Sequence, residues 1–120
     1  MRVELNDREV QILDLRKRAV TFKEIANLLG FNHYQQAQAI YRKALKKLRR
    51  FRYLQKHDPQ LIKAAEANGF GFTQLSRLFS ILEREGIEAH YKDMDLYSLS
   101  EINGIGGEYL KVLEDSKFLS

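Results

Sequence analysis

Between residues 33 and 54 the apolar residues Ala37, Ile40 or Tyr41, Ala44, Leu48 and Phe51 recur at helical spacing, with polar or cationic residues between most of them. A stretch that long with one apolar stripe buries itself as a single helix lying against other elements. Elsewhere β-branched runs are few, and no apolar/polar alternation survives more than a few residues, so strands are not expected. The 120 residues, 44% of them hydrophobic, are therefore predicted to form an all-α fold of one compact domain or two very small ones.

Local signals place the remaining helices. A first helix opens at Asn6 or Asp7 as N-cap, with Glu9 in its first turn, and carries Val10, Leu13 and Ile12 toward a core up to about Arg18. A second opens at Thr21, where Glu24 three residues on completes a capping box, and ends before Gly30 with Ile25, Leu28 and Leu29 buried. The single proline, in "KHDPQL", breaks the chain, since Asp58 caps and Pro59 fits a first helical turn. A helix over 60–67 follows, then "NGFG", then "FTQLSRLFSILEREG" with Leu75, Leu78, Phe79 and Leu82 on one side and Gly86 closing it. The segment "IEAHYKDMDLY" is the one that local signals decide least, with an extended course open to it, and the last 23 residues read as two short helices around a glycine turn. No internal repeat is evident from sequence.

Composition removes several functions. With no Cys there are no disulfides, cysteine nucleophiles or thiolate metal sites, and His33, His57 and His90 lack ligand spacing, so no metal or other cofactor is expected. The acids of "EREGIEAHYKDMD" have no recognised catalytic spacing, which argues against a nuclease and for a non-enzyme. Apolar stretches are too short to span a bilayer, and "MRVELNDREV" has no apolar signal segment, so a cytoplasmic protein with no membrane partner is expected. The net charge of +4 conceals an asymmetry. Residues 1–57 hold 14 Lys/Arg against 5 Asp/Glu, and residues 58–120 hold 6 against 11. This divides the chain into a basic domain 1–57 and an acidic helical domain 58–120, the first suited to a polyanion and the second to protein contacts.

The helix over 21–29, a tight turn and the long helix after it make a helix-turn-helix, whose second helix enters the major groove of DNA. Such a helix needs polar side chains at its N-terminal end for base edges and cations further along for phosphates. Tyr34, Gln35, Gln36 and Gln38 stand at the reading end, followed by Arg42, Lys43, Lys46, Lys47, Arg49 and Arg50 with no acid among them to pair with. These ten are the expected DNA contacts.

"LNDREVQILDLR", "TFKEIANLLGFN" and "IYRKALKKLRR" together resemble the fourth conserved region of bacterial sigma factors over roughly residues 5–50. The resemblance implies promoter-like recognition of double-stranded DNA and RNA polymerase as a partner. Two departures qualify it: the turn "FNHY" is one residue longer than that pattern, and Gln35, Gln36 and Gln38 stand where the family has Arg and Glu. The family's aromatic promoter-melting region would lie upstream, and nothing precedes Met1, so a partial sigma-like factor is expected.

Residues 99–113, "LSEINGIGGEYLKVL", resemble the helix-hairpin-helix motif. That resemblance implies a backbone phosphate cradle at Gly104, Ile105, Gly106 and Gly107, although Glu108 stands where a basic residue would help. The combined expectation is a sequence-specific DNA-binding transcription regulator of bacterial or phage origin, its C-terminal half making homo-oligomer or partner contacts. The competing expectation is a phage terminase small subunit or another accessory protein of DNA packaging or processing.

Overall fold

A computed structural model describes residues 1–119 as seven α-helices and one 3-10 turn, with no strand among them. The helices are α1 (Asp7–Lys17), α2 (Phe22–Leu29), α3 (Tyr34–His57), α4 (Pro59–Ala67), α5 (Phe72–Arg84), α6 (Leu96–Ser100) and α7 (Gly107–Phe118). No helix among the described residues is long and apolar enough to cross a membrane. The chain divides into two compact units, Val3–Phe51 and the remainder from Arg52 on together with Met1 and Arg2. The division falls inside α3, upstream of the break that Pro59 marks.

In the first unit α1, α2 and the first part of α3 enclose Ile12, Ile25 and Ala37, with Leu15, Phe22, Leu29, Phe31, Ile40 and Tyr41 packed around them. Asn6 caps α1 in a reciprocal box: its side chain accepts from the Glu9 amide at 2.8 Å, and the Glu9 carboxylate accepts from the Asn6 amide at 3.0 Å. Two expected core residues lie outside. Val10 is 51% exposed, because the buried carboxylate of Glu9 sets the rotation of α1 and turns position 10 outward. Leu28 is 66% exposed, since the inward stripe of α2 is Phe22, Ile25, Ala26 and Leu29, the i, i+3, i+4, i+7 register that excludes it.

The residue before a proline is pushed away from helical backbone, and α3 accordingly ends at His57, with Asp58 at φ −149°, ψ 60°. Asp58 accepts from the Leu61 amide at 3.2 Å and caps α4. In the second unit Leu61, Ala64, Leu75, Leu78, Leu82, Leu99, Val112 and Leu113 form the centre of a larger core. The segment that local signals decide least is wound into turns rather than extended. Gly86 takes φ +68°, Ile87 bonds back to Leu82, and His90 and Tyr91 both donate to the Ile87 carbonyl. The side chain of Tyr91, opening the 3-10 turn, is thereby delivered to the core at 1% exposure.

The fold contains a short repeat, although none is expected from sequence. Asn68-Gly69-Phe70-Gly71 joins α4 to α5, and Asn103-Gly104-Ile105-Gly106 joins α6 to α7. In each hairpin the first glycine has positive φ (77° and 98°), the apolar residue is buried and the second glycine is the N-cap of the next helix. Ala64 and Leu99 before the hairpins, and Leu78 and Leu113 after them, are all fully buried. The sequence trace of the repeat is the tetrapeptide Asn-Gly-apolar-Gly, and the helices that flank it share only the burial pattern.

Gly104 is the tighter of the two positive-φ turns, because a Cβ there would lie 3.1 Å from Ile81 Cδ1. Replacing it with Ala should destabilise the chain by about 1–3 kcal/mol through backbone strain. Gly106→Ala, at ordinary φ and with no neighbour within 4 Å, should cost much less in the same urea titration.

Candidate functional site

Gly30 caps α2 at φ +78°, and the Phe31 amide closes the turn on the Ala26 carbonyl at 2.8 Å. The Arg8 guanidinium lies 5.2 Å from the centre of the Phe31 ring and donates to the Leu29 carbonyl, so α1 braces this turn. On the other side the Arg16 guanidinium stacks 4.4 Å from the centre of the Phe22 ring, which meets Tyr41 edge-on at 5.4 Å. These contacts aim the start of α3 outward from a packed base.

The ten residues expected on α3 do not share one role. Gln35, Arg42, Lys46 and Arg49 fall on one exposed stripe at i, i+7, i+11 and i+14, with Lys43 exposed beside it. Tyr34 is 38% exposed at the head of the helix, while Gln38 and Arg50 are half-buried on its flanks. Two of the expected residues are engaged within the chain. Gln36 Oε1 accepts from the backbone amides of Asn32 and His33 at 3.1 and 3.3 Å, which satisfies donors at the start of α3 and holds this side chain back from a ligand. Lys47 Nζ donates to Glu9 Oε1 at 2.8 Å.

The Lys47 contact corrects the expectation for the basic run, because one of its cations does have an acid partner, supplied by α1 rather than by α3. Glu9 is 1% exposed. Burial raises its carboxyl, but the hydrogen bonds from Lys47 and the Asn6 amide, with the positive charges of Lys47 and Lys43, outweigh burial and hold it below its ordinary value. Arg42, Lys43, Lys46 and Arg49 have no ion-pair partner among the described residues. Their mutual repulsion is left to solvent or to an external polyanion.

Beside the stripe, an open cleft of about 380 Å³ is lined by Lys23, Asn27, Phe31, Asn32, Tyr34 and Gln35, among others. Lys23, Asn27 and Asn32 are not among the contacts expected from sequence, and the signal for them lies only in the folded turn. Ala39, exposed between Gln35 and Arg42, is a further addition, and its spacing of four from Gln35 does place it on the same face.

The glycine hairpin expected to hold a phosphate has Gly104 at positive φ, Ile105 buried, and Gly106 and Gly107 exposed at the start of α7. No side chain caps α7, and Glu108 lies in its first turn. That negative charge occupies the end of the helix dipole where an anion would otherwise be favoured.

Comparison with protein-family models, with curated proteins and with solved structures finds no match to the chain.

The Glu9–Lys47 pair generates a stability prediction. Lys47→Met leaves a buried carboxylate without its cation and should destabilise the Val3–Phe51 unit by about 3 kcal/mol. Because the folded Glu9 carboxyl titrates below its unfolded value, its contribution is complete at neutral pH and is lost as pH falls through the lowered value. Lys47→Met should flatten that acid limb, measured by helical circular dichroism from pH 7 to pH 2. An unchanged acid limb would show that the pair does not support the unit.

Proposed function

We propose that the Val3–Phe51 unit binds duplex DNA by laying α3 in the major groove, and that the protein is a sequence-specific transcription regulator or partial sigma-like factor. The observation that carries this reading is the single exposed stripe of α3, polar at Gln35 and cationic from Arg42 to Arg49. A 24-residue helix is about 36 Å long, enough to place its first turns against base edges while later turns meet the phosphates flanking the groove. Supporting it, Arg8 and Arg16 brace the α2–α3 turn and the first part of α3, and the Glu9–Lys47 pair ties the middle of α3 to α1.

Base reading is assigned first to Gln35, which is exposed at the first turn and lines the adjacent cleft. Glutamine pairs bidentately with adenine, so an A·T pair is expected where Gln35 reaches the groove. Phosphate contact is assigned to Arg42, Lys46 and Arg49.

These roles separate experimentally once a preferred site has been selected from a random duplex library. The triple replacement of Arg42, Lys46 and Arg49 by Ala should weaken all duplexes alike and reduce the log–log salt slope by roughly one unit for each phosphate no longer neutralised. Gln35→Ala should lose on the order of 1–3 kcal/mol of discrimination at one base pair and little elsewhere. Gln36→Ala should lower thermal stability, because it uncaps α3, without changing base preference. An unaltered salt slope in the triple variant, or failure of the library to enrich any site, would overturn the proposal.

A further inference from the structure

In the second unit a cleft of about 270 Å³ is lined by Tyr53, His57, Asp58, Glu88, Tyr91 and Lys92, and the DNA-binding reading makes no use of it. Asp58 is fully committed there. Its carboxylate accepts from Lys92 at 2.8 Å, from the Tyr91 hydroxyl at 2.6 Å and from the Leu61 amide, so the charges of Asp58 and Lys92 cancel. Glu88 is different: its Oε2 is sealed from solvent and accepts no hydrogen bond among the described residues, and no cation among them pairs with it. With Oε2 unsatisfied, the rest of the partly exposed Glu88 side chain lines the cleft, where its charge is met by solvent or by a ligand that donates to it. The Tyr53 phenol is pushed above its ordinary range by burial and then by the charges of Glu88, Asp58 and Glu83.

The walls are flat and aromatic. The Tyr53 ring lies 4.7 Å from the His57 ring and 5.6 Å from Phe79, and Tyr91 closes another side. A site with one uncompensated carboxylate and an aromatic wall suits a flat, weakly hydrated cation that stacks on rings while its edge donates to an oxygen. An ammonium, compact and strongly hydrated, would surrender its water for one carboxylate alone.

We propose that this cleft is a binding site for a guanidinium group, held by Glu88 against the Tyr53–His57 wall. The volume admits a guanidinium on a short alkyl stem, supplied either by a small metabolite or by an arginine side chain of another protein.

The test is a backbone amide NMR titration of the full chain at constant ionic strength with methylguanidinium, with methylammonium in parallel. Saturable shifts confined to Tyr53, His57, Glu88 and Ala89 are expected from methylguanidinium and not from methylammonium. Glu88→Gln should weaken the interaction at least tenfold while leaving the thermal midpoint unchanged or raised, since a poorly satisfied charge is removed. Ala89→Leu, at an exposed position lining the cleft, should block it sterically with Glu88 intact. Tighter binding of doubly blocked arginine than of methylguanidinium would point to a protein side chain as the source, and weaker binding to a small metabolite. Non-saturating shifts, equal binding of methylammonium, or wild-type affinity in both variants would overturn the proposal.

Discussion

The carboxylate of Glu9 performs two tasks that are usually given to different residues. One oxygen accepts the Asn6 amide, closing the capping box that starts α1, and the same oxygen accepts Lys47 from the middle of α3. Burying that group is unfavourable unless both partners are present, so the start of α1 and the midpoint of α3 are fixed together. The exposure of Gln35, Arg42, Lys46 and Arg49 follows from this tie. Holding Lys47 inward sets the rotation of the helix and turns Arg42, Lys46 and Arg49 away from the packed side.

The second unit uses the same device at Asp58. It caps α4 through the Leu61 amide and binds Tyr91 and Lys92 from the 3-10 turn. Tyr91 in turn contacts Ser116 on α7 at 3.0 Å, and burial together with the Asp58 bond raises the phenol far above its ordinary range, Ser116 opposing. The phenol therefore stays neutral at any ordinary pH and acts as a fixed link between the end of α3 and α7. In each unit, a helix start is joined to a distant element by one buried acid.

The division of charge also takes on structural meaning. In the second unit Asp58, Asp95 and Asp115 are among the acids with folding roles, capping α4, capping α6 and accepting from Asn68 respectively. In the first, Glu9 is neutralised internally while the exposed cations of α3 are not. The first unit thus keeps a row of exposed cations along one face of α3.

Much of this was legible in the sequence. The all-α class, the caps at Asn6, Thr21 and Asp58, the proline break and the apolar stripes of α3 and α5 all follow from signals confined to a few neighbouring residues, which act on local backbone whatever surrounds them. The exposed stripe from Gln35 to Arg49 was half legible, since spacing places its residues on one face but does not say which face is turned out. Tertiary structure alone decided the rest. Glu9 was readable as a first-turn acid but not as the partner of Lys47, thirty-eight residues away. Gln36 was indistinguishable from its neighbouring glutamines until the fold of the turn brought two backbone donors to it. The burial of Tyr91 and the exposure of Val10 and Leu28 likewise depend on which surfaces meet, and that is settled by packing across the chain rather than by spacing along it.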